Sequence, residues 1–154
     1  KLGIHPNASE PTKQLIMNTV QTTSKIREVP LISHIQAGNW SENSDPYTVG
    51  DAEKMIETTA KVSQSAYALR VTGDSMHPTL FDGSIIIVDP NRTPENKQII
   101  VVRQNGNSEA TVKRLVIEGG KKYLKPDNER YPIMEMLDDA HLCGVAVKLE
   151  NDLV

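Results

Sequence analysis

The sequence predicts a mostly β fold of twisted antiparallel strands behind a polar N-terminal arm. Three observations lead there. From Ser65 onward the apolar residues gather in short runs rich in Val, Ile and Leu. Turn-forming residues separate each run from the next. The first 28 residues, by contrast, are polar and aperiodic.

The arm, KLGIHPNASEPTKQLIMNTVQTTSKIRE, contains Pro6, Pro11 and many Thr, Ser, Asn and Gln. It reads as a linker over residues 1–28, with at most a short helical turn around 13–20. It lacks the paired amphipathic helices of a helix-turn-helix. The chain opens on Lys1 rather than Met, which suggests a fragment with further sequence upstream. Residues 29–37, VPLISHIQA, read as extended, because Pro30 biases Val29 towards β or polyproline geometry. Gly38 and Asn39 then break the segment. Residues 39–65 read as irregular, with one helical candidate at 51–58. Six strands follow, at 67–71, 84–88, 98–103, 110–117, 122–125 and 141–149. Gly73, Asp82-Gly83, Asp89-Pro90, Asn105-Gly106-Asn107, Gly119-Gly120 and Pro126-Asp127-Asn128 mark the turns between them. The expected division is an arm at 1–28 and one domain at 29–154.

Bulk properties narrow the function. A chain of 154 residues supports one domain with a real core. Aromatics are only 4%, so that core must rest on aliphatic side chains. A net charge of −3 does not suit a surface that neutralises a phosphate backbone. The single cysteine, Cys143, rules out an intrachain disulfide and fits a reducing, cytoplasmic setting. It lies in the apolar run 142–147, so it reads as a small buried hydrophobe. No membrane span or signal peptide is visible. No Cys/His spacing suggests a metal, and no glycine-rich loop suggests a nucleotide, so neither metal nor cofactor is expected.

Three short segments carry chemistry. Gly73-Asp74-Ser75-Met76-His77-Pro78 follows a strand. A serine at a glycine-kinked strand end can present its hydroxyl, with backbone N–H groups nearby for an oxyanion. Most such triplets are ordinary turns. In Ala110-Thr111-Val112-Lys113-Arg114-Leu115-Val116-Ile117, strand alternation puts Thr111, Lys113, Leu115 and Ile117 on one face. A lysine there is partly desolvated, which lowers its pKa and lets the neutral amine act as a base. The alternative is an ammonium that snorkels to water, and alternation does not decide which face is buried. Ala37-Gly38, at the end of the extended segment, is a small dipeptide that a narrow site could accept. Among the histidines, His77 is closest to Ser75 in sequence. A Ser-His-Asp triad using His77 with Asp74 or Asp89 would need its ring to fold back.

Taken in order, VPLISHIQAGNW, VTGDSMHPTLFDGSIIIVDP, EATVKRL, and KKYLKPDNERYP followed by HLCGVAVKL resemble the LexA-like self-cleaving serine peptidases. Within that family the likeness is greatest to the C-terminal domains of lambdoid phage repressors. It covers roughly residues 29–150. Ser75 and Lys113 are 38 residues apart, and Ala37 precedes Ser75 by the same interval. The resemblance implies the LexA/signal-peptidase-like β fold and a Ser-Lys dyad. Ser75 would be the nucleophile, Lys113 the general base, and the N–H groups of Asp74 and Ser75 the oxyanion hole. Ala37-Gly38 would be the bond cleaved, within a cleavage-site segment at 29–40. It further implies a homodimer, and stimulation by the RecA–single-stranded-DNA filament during an SOS response that derepresses a prophage. Operator DNA would be bound only through a missing N-terminal domain, in the cytoplasm of a bacterial host. Two other readings stay open. One is a non-cleaving module for dimerisation or antirepressor capture. The other is the related mutagenesis-polymerase accessory protein.

Overall fold

The computed structural model describes residues 25–40 and 52–151. The expected arm up to residue 24, including the helical turn at 13–20, lies outside the described residues, as do 41–51 and 152–154. The elements are β1 (Arg27–Ile32), α1 (His34–Gly38), β2 (Lys54–Thr58), β3 (Tyr67–Arg70), β4 (Ile85–Asp89), β5 (Ile99–Arg103), β6 (Thr111–Glu118), β7 (Lys121–Lys125), β8 (Met134–Glu135) and β9 (His141–Leu149). They form one sheet in the order β2-β1-β3-β4-β9-β5-β6-β7-β8. The fold is mostly β, as the turn spacing predicts. The sheet is mixed rather than wholly antiparallel, because β1 runs parallel to β3.

The six strands expected after Ser65 all form, with ends shifted by a residue or so. Three expectations need correction. The extended reading of 29–37 holds only to Ile32. There Ser33 accepts a hydrogen bond from the Gln36 N–H at 3.1 Å, while the Gln36 side chain accepts one from the Ser33 N–H at 2.9 Å. This capping box starts the single turn of α1, which carries Ala37 and Gly38. Within the helical candidate at 51–58, Lys54–Thr58 instead form strand β2, and residue 51 lies outside the described residues. Its register on β1 runs from Arg27 opposite Thr58 to Leu31 opposite Lys54. Pairing with the open side of β1 overrides local propensity here. Finally, β1 starts at Arg27, inside the expected arm, and the two-residue β8 is too short and exposed to leave a periodic signal.

Both faces of the sheet are covered. Tyr67, Leu69, Ile86, Val88, Val101 and Val112 pack on one face with Trp40 and Met76. On the opposite face Leu31, Ala68 and Ile87 form one cluster, and Ile100, Leu115, Leu124 and Val145 form another. Neighbouring residues of one strand therefore enter different clusters. That is why β4 and β5 read as continuous apolar runs rather than alternating ones.

Strand β9 joins the two halves of the sheet, between β4 and β5. Register shifts occur against both neighbours, at Ile87/Val88 and at Val101/Val102. Between them sits Gly144, with φ +149°. Cys143 and Val145 are two residues apart, yet they enter clusters on opposite faces, so the alternation switches at this glycine. A Cβ on Gly144 would lie 2.5 Å from Val88 Cγ1. Cys143 is buried, as expected, and burial pushes its thiol up to about 11. The buried Tyr67 hydroxyl donates to the Cys143 carbonyl at 2.8 Å.

Gly144→Ala is expected to lower stability by at least about 2 kcal/mol, from strain and overpacking together. Urea unfolding checks this: the midpoint should fall while the slope stays unchanged.

Candidate active site

The turn after β3 presents Ser75. Gly73, at φ +78°, redirects the chain, and its N–H donates to Asp82 Oδ1 at 2.8 Å. The His77 N–H donates to the Asp74 carbonyl at 3.1 Å, and the Leu80 N–H to the Met76 carbonyl at 2.9 Å. Met76 is buried in the main core, which fixes the turn from below and leaves Ser75 half-buried at the surface of a cleft.

Lys113 reaches the same point from β6. Its Nζ lies 3.2 Å from Ser75 Oγ, 2.9 Å from Thr111 Oγ1 and 3.0 Å from the Val112 carbonyl. Among the described residues no carboxylate pairs with it. Burial therefore acts unopposed and lowers its pKa from the ordinary lysine value of 10.5. An ammonium would donate to all three oxygens. A neutral amine can donate to Thr111 and Val112 and turn its lone pair towards the Ser75 hydroxyl.

The question that alternation left open is resolved on both sides. Leu115, on the Lys113 face, is buried in one cluster, and Val112, on the other face, is buried in another. Ile117, also expected on the Lys113 face, lies 37% exposed where the strand leaves the core. Lysine thus sits at the covered end of its strand.

The histidine alternative has no geometry to support it. His77 packs edge-on against Phe81, Asp74 receives the Tyr131 hydroxyl, and Asp89 is bound by Ser63. Among the described residues no group of three His, Cys, Asp or Glu side chains could hold a metal, and no helix is long and apolar enough to cross a membrane.

The Asp74 and Ser75 N–H groups have no acceptor among the described residues. The carbonyls of the same two residues do have donors. The Asn128 N–H reaches the Ser75 carbonyl, and Asn128 Nδ2 reaches the Asp74 carbonyl, both at 3.0 Å. Asn128 belongs to the loop after β7. That loop is tied to β6 by a bidentate ion pair, in which Arg114 Nε and Nη2 donate to the Asp127 carboxylate at 2.8 and 2.7 Å. In the sequence Pro126-Asp127-Asn128 reads as a turn within the family-like segment KKYLKPDNERYP, with no role at the site. Nothing local in the sequence ties that turn to Ser75, 53 positions away.

Ala37 and Gly38 are not brought to Ser75. Residues Leu31 to Gln36 line the same cleft of about 960 Å³ as Ser75, but the Ala37-Gly38 pair does not. Both residues are buried in α1. The Ala37 carbonyl accepts the Trp40 N–H at 3.2 Å, and the Gly38 carbonyl accepts Arg103 Nε at 2.6 Å. A Cβ on Gly38 would collide with the Ser108 carbonyl oxygen. Upstream, the His34 ring bridges the Arg70 and Ala110 carbonyls at 2.7 and 2.9 Å.

Comparison with known proteins follows the same boundaries. A family model described as Peptidase S24-like matches residues 30–147. Repressor protein C2 of Salmonella phage P22 is 40% identical over 128 residues, which are 79% of this chain and 59% of that protein. The HTH-type transcriptional regulator for conjugative element R391 of Providencia rettgeri is 38% identical, over 76% of this chain and 57% of the regulator. The LexA repressor of Clostridioides difficile is 33% identical, over 91% of this chain and 66% of that repressor. The chain thus spans less than two thirds of the length of each of these relatives.

The Arg114 guanidinium holds the Asp127 carboxyl below the ordinary carboxylate range, chiefly through its hydrogen bonds. A carboxyl whose pKa is depressed by folding stabilises the fold above its unfolded pKa and loses that stabilisation as pH falls through the folded one. Stability should therefore decline on the acid side of about pH 4. Arg114→Ala should cost about 1–3 kcal/mol at pH 7 and flatten that decline. Thermal unfolding followed from pH 7 down to pH 3 measures both.

Proposed function

The chain belongs to the Peptidase S24-like family, and from that premise we propose that it is the self-cleaving, dimer-forming C-terminal part of a phage transcriptional repressor. The observation that carries this reading is the 3.2 Å approach of Lys113 Nζ to Ser75 Oγ, with burial and, among the described residues, no counter-ion at the amine.

Neutral Lys113 takes the Ser75 proton as Oγ attacks the Ala37 carbonyl carbon. The N–H groups of Asp74 and Ser75 receive the oxyanion. The tetrahedral adduct collapses, the Ala37-Gly38 C–N bond breaks, and the Lys113 ammonium returns its proton to the departing Gly38 amine. Water, deprotonated by the neutral amine, then hydrolyses the Ala37 ester and frees Ser75. The products are residues 1–37 and 38–154. Because the substrate is part of the chain, its effective concentration is permanently high. Restraint comes from the protonated lysine and from α1, which must unwind before the bond can reach Ser75.

In the intact protein, an N-terminal domain would read operator DNA as a two-fold dimer. Cleavage would separate the halves, and the RecA–single-stranded-DNA filament would favour the unwound segment. The likeness to two repressors and an HTH-type regulator supports this reading. The protein would act in the cytoplasm of the bacterial host, switching a prophage out of repression. One observation favours a second reading. Ala37-Gly38 is coiled and buried, which suits a module that dimerises or is captured by an antirepressor without cutting.

Incubation at about pH 10 followed by intact mass measurement separates the two readings. Cleavage between Ala37 and Gly38 is expected, accelerating as pH rises through a midpoint below 10.5, since the lysine pKa is lowered. Its rate constant should not change over about a tenfold range of chain concentration. Ser75→Ala and Lys113→Ala should both stay intact. A wild-type chain that stays whole while remaining dimeric would leave only the binding module.

A further inference from the structure

We infer that Asn128 is a positioning residue that aims the Ser75 N–H, and with it the Met76 N–H, away from the loop after β7 and into the reactive side of the turn. The inference rests on the self-cleavage reading above. It starts from the planar trans peptide, in which a carbonyl and the N–H of the next residue point in opposite directions. The Asp74 carbonyl and the Ser75 N–H share one such plane. The Ser75 carbonyl and the Met76 N–H share the next. Asn128 holds both carbonyls at 3.0 Å, one through its side-chain amide and one through its backbone N–H. Fixing the two carbonyls on one side fixes the two N–H groups on the other.

The remaining contacts make Asn128 a firm anchor rather than a loose loop residue. Its Oδ1 accepts the Arg130 N–H at 3.1 Å, and its carbonyl accepts the Tyr131 N–H at 3.1 Å, so the loop is folded around it. The Tyr131 hydroxyl donates to the Asp74 carboxylate and adds a third tie to the same turn. Behind Asn128, the Arg114–Asp127 pair fastens the loop to β6, and Arg114 Nη1 also donates to the Lys97 carbonyl at 2.6 Å. Arg114 is the neighbour of Lys113. The strand that carries the base and the turn that carries the nucleophile are therefore held in register by a second route, independent of the amine–hydroxyl contact. Without it, the Asp74–Ser75 peptide retains only the His77 N–H as a partner for its carbonyl. That plane could then tip and take its N–H out of line with a developing oxyanion.

The test compares wild type, Asn128→Ala and Asn128→Asp in the alkaline self-cleavage assay, with rates taken across the full pH range. Loss of an oxyanion donor's aim lowers the rate at the alkaline plateau, by about tenfold to a hundredfold. The pH midpoint, which reports Lys113, should not move, and the melting temperature should stay within about 5 °C of wild type. Asn128→Asp keeps the shape, the loop's acceptor oxygen and the backbone donor but replaces the amide donor. It should show the same lowered plateau, and it carries the test if the alanine variant folds poorly. A wild-type plateau in either folded variant overturns the positioning role and leaves self-cleavage standing. A shifted midpoint with an unchanged plateau also overturns it, since the effect would then run through the base. A wild-type chain that never cleaves overturns the self-cleavage reading and this role together.

Discussion

The rest of the site depends on one constraint: a lysine amine is kept in a partly buried place with no carboxylate among the described residues beside it. Taking a charge out of water without a partner is costly, and a lysine escapes that cost by giving up its proton. Lys113 is therefore shifted in the direction that makes it a base. An aspartate within reach would hold the ammonium and end its basicity. The neutral contacts actually present, a hydroxyl, a carbonyl and the Ser75 hydroxyl, stabilise the amine without trapping the proton.

Partly burying that amine is the work of the sheet. Strand β6 is covered on one face by the cluster around Leu115 and on the other by the cluster that takes Val112. Both faces can be covered because β9 joins the two halves of the sheet and changes face within itself. The change requires Gly144, whose φ of +149° and close approach to Val88 leave no room for a side chain. A backbone feature two strands away from Lys113 thus helps to cover both faces of the sheet that carries it.

How much was legible follows the range of the forces involved. The strands after Ser65 announce themselves through short aliphatic runs and turn residues, both local signals. So does the strand bearing Lys113, and the ordered segments around Ser75 and Lys113 carry a family likeness that the comparisons support. The misreadings have non-local or very local causes. β2 exists because β1 offers it an edge, which no window of sequence around Lys54 reveals. The turn of α1 depends on the reciprocal Ser33 and Gln36 bonds, hidden inside a segment that Pro30 makes look extended. The Asn128 clamp is legible only once the loop after β7 is seen folded against the turn after β3.

Under the proposed self-cleavage, the state of α1 bears on how the chain would avoid cutting itself at once. A serine nucleophile needs its target peptide extended and exposed, whereas Ala37-Gly38 is coiled and buried. Freeing it breaks the capping box and the bonds from Trp40 and Arg103 to the two carbonyls. Each such hydrogen bond is worth about 1 kcal/mol net, so these four alone come to about 4 kcal/mol, before the backbone bond from the Ala37 N–H to the Ser33 carbonyl is counted. That keeps the open segment to no more than roughly one molecule in a thousand. A partner that binds the open segment about a thousandfold more tightly than the coiled one would bring the two forms to parity. On the proposed reading, the same turn that keeps the bond from Ser75 thus sets the differential affinity an inducer would have to supply.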